Sequence, residues 1–129
     1  MHERLGWSPS RSGAILPDYE MIFNKHSNDG GKANIMSSPG NFVEGILYSV
    51  NEKDLLILDK YEGVSSKQYK RYEIEVMDKN KNYIPAVAYK ALNTGKVSAP
   101  TEDYLNYILE GREFLSPGYY GKLKSTETL

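Results

Sequence analysis

The chain has 129 residues, enough for one domain with a real core, and we expect a single domain over residues 1–129. Sixteen lysines and arginines against seventeen acids leave a formal charge of −1, so composition gives no electrostatic reason to expect nucleic acid or an anionic membrane as partner. The absence of cysteine excludes disulfides, thiol nucleophiles and cysteine-ligated zinc; with no apolar run long enough to cross a bilayer and no secretory leader, it favours a cytoplasmic protein.

The first part of the chain predicts strands separated by turns. Residues 1–11 are polar and broken by glycine and proline, so they are predicted as a turn of helix followed by a loop. Residues 14–25 alternate as a strand does, with an interruption at Pro17 that indicates an edge or a bulge. The next elements, read from composition, are a loop at 26–32, a brief strand at 33–36, a turn at 37–40 and a longer strand at 42–50.

A short helix with a defined end follows. Asn51 can cap its first turn, and the helix is predicted to run to about Lys60. Gly63 fits a C-terminal cap, because glycine alone enters the left-handed region without steric cost. Glu62 therefore lies at the negative end of the helix dipole, where a carboxyl group is suited to exchange a proton as a general acid/base. On these residues alone, most such acids are solvated helix ends.

The second half predicts a hairpin and two helical segments. Alternating residues indicate strands at 69–77 and 84–91, joined by a turn at 78–83. Thr101 can cap a helix that continues to about Leu115, and Gly111 within it indicates a close contact. A last helical turn is predicted at 119–124. This order favours an α+β domain, or a small barrel with helices outside, over a doubly wound nucleotide fold.

Several kinds of site are disfavoured. His2 and His26 both lie in predicted loops and lack metal-ligand spacing, so neither a serine triad nor a metal site is supported. Basic residues Lys67, Lys70 and Arg71 stand beside tyrosines, a combination that can bind single-stranded nucleic acid. With a net charge near zero, a solvated strand face is the better interpretation.

The remaining candidate constellation is Glu62 with three tyrosines on later elements: Tyr69, Tyr89 and Tyr104. The chain contains eleven tyrosines, and a tyrosine combines an apolar ring with a polar tip. Tyrosines at such spacings are more often core than pocket. One acid with several hydroxyl groups would nevertheless suit proton-transfer chemistry that needs neither cofactor nor metal.

Several blocks along the chain form a pattern that recurs in one protein family. They are Leu16 to Phe23, Gly30-Gly31 with Ala33-Asn34-Ile35, the V-x-G-x-L-Y strand from Val43 to Tyr48, the segment from Asp54 to Val64 followed by Tyr69, and Tyr89, Tyr104 and Gly111. With these blocks the sequence resembles the γ-glutamylcyclotransferase-like family. The resemblance covers nearly the whole chain, and its order and spacing are more specific than any one block.

The resemblance implies a small mixed β-barrel with peripheral helices and a cavity at one end. It also implies release of 5-oxoproline from a small γ-glutamyl substrate without cofactor or metal, the substrate's α-amine attacking its own γ-carbonyl. Glu62 would be the catalytic acid/base, and Tyr69, Tyr89 and Tyr104 would line the substrate pocket with hydroxyls available to the substrate's carboxylate and carbonyl.

One departure from the family pattern concerns the N-terminus. Family members begin with a strand and a "YGSN"-like loop, whereas residues 2–5 here resemble the segment that follows that loop. We therefore expect the natural start to lie upstream. The alternative is a truncated, non-catalytic relative that binds a small metabolite or a protein partner. The leaving amine and the oligomeric state stay open.

Overall fold

A computed structural model describes residues 6, 9–25, 27, 30–92 and 94–129. Both histidines and most of the predicted N-terminal turn lie outside these residues. No helix in the described ranges is long and apolar enough to cross a membrane. The elements, in chain order, are β1 (Arg11–Lys25), β2 (Lys32–Tyr48), α1 (Glu52–Tyr61), β3 (Tyr69–Met77), β4 (Tyr83–Ala91), α2 (Glu102–Leu109), a 3-10 turn (Arg112–Phe114) and α3 (Pro117–Lys124).

The four strands form one antiparallel sheet in the order β2-β1-β3-β4. No backbone ladder in the described ranges joins the outer strands β2 and β4, so the sheet is open there, whereas the family resemblance implied a small mixed barrel. A side chain links these two strands instead: the buried Asn34 Oδ1 accepts the Ala91 N–H at 2.8 Å. The predicted α+β class is confirmed, and the sheet curves enough for its two edges to meet at one point.

Strand β2 is a single strand with a bulge, so the prediction of two strands separated by a turn was wrong. The register between β1 and β2 shifts between Pro17 and Tyr19, which leaves Asp18 facing residues 38–41. Asp18 has a φ of 63°, and its carboxylate accepts the Gly40 N–H at 3.0 Å. This side chain takes the place of a ladder hydrogen bond, and pairing therefore resumes on both sides of the irregularity.

Helix α2 is shorter than predicted, because the periodic pattern through Leu115 continues as a 3-10 turn after the helix ends at Leu109. Thr101 caps the helix as expected, its hydroxyl accepting the Tyr104 N–H. The close contact expected at Gly111 is present: a Cβ there would lie 3.1 Å from Ile46 Cδ1. The apolar core comprises Leu16, Phe23, Leu58, Val76, Ala91 and Leu105.

Candidate functional site

Glu62 is held at the end of α1 by local hydrogen bonds. Asn51 forms the predicted N-terminal cap, completed by the Asp54 side chain as a reciprocal capping box. At the other end Gly63 has a φ of 67°, and the Val64 N–H reaches back to the Asp59 carbonyl at 3.0 Å. These bonds form a Schellman motif, which ends the helix and fixes the backbone of the half-buried Glu62.

Tyr69 and Tyr104 converge on one residue of β2. The Tyr69 hydroxyl donates to the Ala33 carbonyl at 2.9 Å, and the Ala33 N–H donates to the Tyr104 hydroxyl at 3.1 Å. The ring of Tyr104 also packs edge-on against Phe23, with ring centres 6.3 Å apart. The start of β2 therefore fixes two of the three predicted pocket tyrosines, although they come from β3 and α2.

Tyr89 belongs to a charged network that the sequence analysis missed. Its hydroxyl donates to Asp59 Oδ1 at 2.6 Å. Arg71 binds the same carboxylate: its Nε lies 2.9 and 3.0 Å from the two oxygens, and its Nη2 lies 2.7 Å from Oδ2. The Nη1 of Arg71 lies 2.9 Å from Glu52 Oε1. Arg71 had been interpreted as part of a solvated basic face. Arg71 lies two residues after Tyr69 on one strand, so both side chains leave the same face of the sheet. This spacing was the signal in the sequence that Arg71 faces α1.

Charge links Glu62 to two of these tyrosines. Burial, then the nearby Tyr104 and the charge of Glu62, raises the pKa of Tyr69 well above its ordinary value. Burial and the hydrogen bond to Asp59 raise the pKa of Tyr89, with a further contribution from Glu62. Both hydroxyls therefore keep their protons near neutral pH and cannot serve as general bases.

The charge of Glu62 thus acts on Tyr69 and Tyr89, and Tyr69 shares the anchor Ala33 with Tyr104; these four residues are spread over 43 positions of the sequence. Their catalytic and binding roles stay predictions. Among the described residues there is no cluster of three or more acids and histidines that could hold a metal ion. Within the four, Glu62 is the group whose chemistry suits proton transfer.

Gly31, in the loop before β2, is explained by its contacts within the protein. The Gly31 N–H donates to the Ala99 carbonyl at 3.0 Å, so it is used within the protein. A Cβ on Gly31 would lie 2.2 Å from the Ser98 carbonyl oxygen, which explains the glycine by close packing. These contacts give Gly31 a structural role.

A separate cavity of about 540 Å³ lies between the β1–β2 pair and α3. Its walls include the rings of Phe42 and Tyr119, whose centres are 5.9 Å apart, together with Leu123. None of the four candidate residues lines it. This cavity is therefore not the site that the sequence predicted.

We expect Asp59→Asn to destabilise the protein by roughly 1–2 kcal/mol at pH 7, because Arg71 then loses a charged partner that is only 17% exposed. Arg71's hydrogen bonds, with that of Tyr89, hold the pKa of Asp59 below its usual range. The folded state therefore binds a proton at Asp59 less readily than the unfolded state does. The stabilisation is fully present above the ordinary pKa of an aspartate, and it is lost as the pH falls from that value through the lowered pKa of folded Asp59.

The measurement is urea unfolding of both proteins at pH 7 and at about pH 3. The difference in unfolding free energy between them should shrink at the lower pH. Asp103→Asn, at an exposed position in the first turn of α2, is the control and should change stability little. An equal difference at both pH values would contradict the charged network.

Comparison with known proteins gives concordant matches. Residues 42–123 match the AIG2-like family, and this range contains all four candidate residues. Bovine γ-glutamylcyclotransferase is 35% identical over 124 residues, covering 90% of this chain and 65% of the bovine one. YkqA of Bacillus subtilis is 31% identical over 112 residues, covering 86% of this chain and 40% of its own. This chain spans less than two thirds of either relative.

Solved structures agree with these matches. A structure described as a γ-glutamyl cyclotransferase superimposes with a TM-score of 0.91 at 29% identity, covering 99% of this chain and 80% of that chain. The crystal structure of YkqA superimposes with a TM-score of 0.85 at 28% identity, covering 99% of this chain and 48% of the other. The fold of this chain therefore matches both structures over nearly its whole length.

Proposed function

The chain belongs to the AIG2-like family, whose match spans the candidate site, and we propose that it releases 5-oxoproline from a γ-glutamyl amine or γ-glutamyl peptide. The observation that carries this proposal is the bonding of Tyr69 and Tyr104 to the same residue, Ala33, with the charge of Glu62 acting on the pKa of Tyr69 and Tyr89. The similarity to γ-glutamylcyclotransferases supports the same substrate class. We place the reaction in the cytoplasm, since a cysteine-free chain fits a reducing compartment.

The reaction is an intramolecular transfer. A new bond forms between the substrate's α-nitrogen and its γ-carbonyl carbon, closing a five-membered ring, and the bond between that carbon and the departing amine breaks. Two protons leave the α-ammonium and two arrive on the departing nitrogen, so charge balances. The chemistry needs no covalent enzyme intermediate and no cofactor, because ring closure supplies the nucleophile at high effective concentration.

Glu62 is the proposed carrier of the proton. Its carboxylate takes one proton from the α-ammonium, which frees the amine to attack, and passes it to the departing nitrogen. The second proton leaves the ring nitrogen as the new amide forms and reaches the released amine through the same carboxylate or through solvent. Tyr69 and Tyr89 cannot take the proton from the α-ammonium, because burial raises the pKa of both and keeps them protonated near neutral pH. The Schellman motif at Gly63 fixes the backbone that carries the carboxyl group, which favours one orientation for both transfers.

The tyrosines offer the substrate a specific set of hydrogen-bonding groups. Tyr69 donates its hydroxyl proton to Ala33 and Tyr89 donates its own to Asp59, so toward a substrate both present acceptor lone pairs. Such groups suit the α-ammonium. They do not suit a carboxylate, which needs donors; this differs from the role expected for them from the family resemblance.

The direct test is incubation of the purified protein with γ-glutamyl amino acids and γ-glutamyl amines, followed by chromatographic measurement of 5-oxoproline. We expect protein-dependent release from at least one class. Release of glutamate in place of 5-oxoproline would indicate hydrolysis and contradict the cyclisation. No product from any member of the panel would refute the proposed activity of this chain.

A further inference from the structure

The cavity between the β1–β2 pair and α3 has an apolar wall. Its volume of about 540 Å³ lies in the range of small-molecule pockets. Phe42 and Tyr119 line it with their rings in contact, 5.9 Å between centres, and Met21 and Leu123 add apolar surface. The Phe42 side chain is 49% exposed although it is large and apolar. The cavity therefore offers the apolar part of a ligand a surface that the protein itself leaves uncovered.

Helix α3, which forms one side of the cavity, is bonded to the sheet. The two oxygens of the Glu44 carboxylate on β2 accept the Ser116 N–H and the Ser116 hydroxyl, each at 2.6 Å. The Ser116 hydroxyl oxygen in turn accepts the Tyr119 N–H and caps the helix. Both oxygens of Glu44 are thus used at the N-terminus of α3, and this helix end already has its negative charge. The walls of the cavity are held by contacts within the protein.

Two side chains of opposite charge line the same cavity. Glu20 on β1 is half-buried, and its Oε2 accepts the Ser38 hydroxyl at 2.9 Å. Lys122 on α3 is exposed. Among the described residues, neither Glu20 nor Lys122 has an ion-pair partner. A carboxylate that is partly removed from water without a cation beside it gains free energy when a ligand's ammonium binds there.

We propose that this cavity binds a small zwitterion with an apolar side chain, namely an apolar α-amino acid. The ammonium lies against Glu20, the carboxylate lies against Lys122, and the side chain lies against Phe42 and Tyr119. A simple amine leaves Lys122 without a partner, and a simple carboxylic acid brings a like charge to Glu20. The arrangement of charges in the cavity therefore favours the zwitterion over either analogue.

This inference goes beyond the proposed function and does not depend on it, because none of the four candidate residues lines this cavity. Phe23 lies between the two places: it lines the cavity and packs edge-on against Tyr104, with ring centres 6.3 Å apart. An amino acid is also the leaving group of a γ-glutamyl amino acid. The test must therefore distinguish binding in this cavity from binding beside Glu62.

The test is calorimetric titration of the purified protein with L-phenylalanine, 2-phenylethylamine and 3-phenylpropionate. The second compound lacks the carboxylate of phenylalanine, and the third lacks its ammonium. We expect phenylalanine to bind with a Kd on the order of 0.1–1 mM, as is usual for a ligand of few atoms, and both analogues to bind several-fold more weakly. Equal binding of the amine would overturn the assignment to an amino acid. The absence of saturable phenylalanine binding would overturn the site.

Gly118→Leu is the variant that blocks the cavity. Gly118 lines it, and a Cβ at this position meets nothing within 4 Å, so the larger side chain enters the cavity without a clash. Gly121→Leu is the matched control, because Gly121 lies in the same helix with equal space around it and outside the cavity lining. Phenylalanine binding should be lost in the Gly118 variant alone. Equal binding by the two variants would overturn the placement.

Charge variants test the two polar contacts. Glu20→Gln keeps the shape of the side chain and an acceptor for Ser38, and the Kd should rise about tenfold through the loss of one charge-assisted hydrogen bond. Glu75→Gln, at an exposed position of β3, is its control. Lys122→Met should also weaken binding, whereas Lys124→Met in the same helix should not. A Kd that rises equally in a variant and its control would overturn that contact.

Glu62→Gln separates this site from the candidate active site. Phenylalanine should bind to this variant as it binds to the original protein, whether or not the original protein releases 5-oxoproline. Binding that is lost in Glu62→Gln and kept in Gly118→Leu would place phenylalanine at the candidate active site and overturn the proposal.

Discussion

Glu62→Gln is expected to lower the rate of 5-oxoproline release by about 10²–10⁴-fold, the usual contribution of a positioned general acid/base. Glutamine has the same shape as glutamate and can occupy the same place at the end of α1, but it cannot accept a proton near neutral pH. The Schellman motif that fixes this position uses backbone atoms, and the substitution leaves those atoms unchanged. Folding should therefore be preserved.

The measurement is kcat and KM for a γ-glutamyl amino acid, with circular dichroism melting to confirm the fold. Glu110→Gln is the matched control, because Glu110 is the C-terminal cap of α2 and is exposed to solvent. The control makes the same chemical change at the same helical position, away from the candidate residues, and should keep full activity. Undiminished turnover in Glu62→Gln would remove Glu62 from the mechanism.

Gly31→Ala is expected to give the largest loss of stability. The added Cβ would lie 2.2 Å from the Ser98 carbonyl oxygen and 2.9 Å from the Phe23 carbonyl oxygen. The backbones of Ser98 and Phe23 are hydrogen-bonded to each other, since the Ser98 N–H donates to the Phe23 carbonyl at 2.9 Å. No side-chain rotation relieves the clash, so the backbone must move. Overpacking of this kind costs about 1–3 kcal/mol or more.

A thermal melt should show a midpoint lower by roughly 4–12 °C for a domain of this size. Gly45→Ala is the control, because a Cβ at Gly45, which lies within β2, meets nothing within 4 Å. The Gly31 variant should also lose activity, since a displaced start of β2 moves the Ala33 that anchors Tyr69 and Tyr104. Equal melting temperatures for the two variants would show that the close approach at Gly31 is not a constraint.

Much of the local structure around Glu62 could be read from the sequence. The Asn51 cap, the glycine after the helix and the hairpin of β3 and β4 were predicted and are observed. Each depends on side-chain patterns or backbone preferences within a few neighbouring residues. The family resemblance then predicted that Glu62 and three distant tyrosines form one site, and this stays a prediction; in the structure the charge of Glu62 acts on Tyr69 and Tyr89, and Tyr69 and Tyr104 both bond to Ala33.

Features that depend on partners far along the chain could not be predicted in the same way. The turn expected in β2 is a bulge, because Asp18 on β1 bonds to Gly40 across the sheet. Arg71, interpreted as a solvated charge, is committed to Asp59 on α1. In both cases the residue type is common, and its role is set by which atom the fold brings within hydrogen-bond distance.

The sequence by itself determined where α1 begins and ends, which strands form the hairpin, and that Glu62 closes the helix, because these follow from interactions between close neighbours. Only the tertiary structure decided which hydroxyl protons are already used and that Glu20 and Lys122 line the same cavity. These depend on strand register and on packing between elements, where a shift of one residue would turn each side chain to the other face of the sheet.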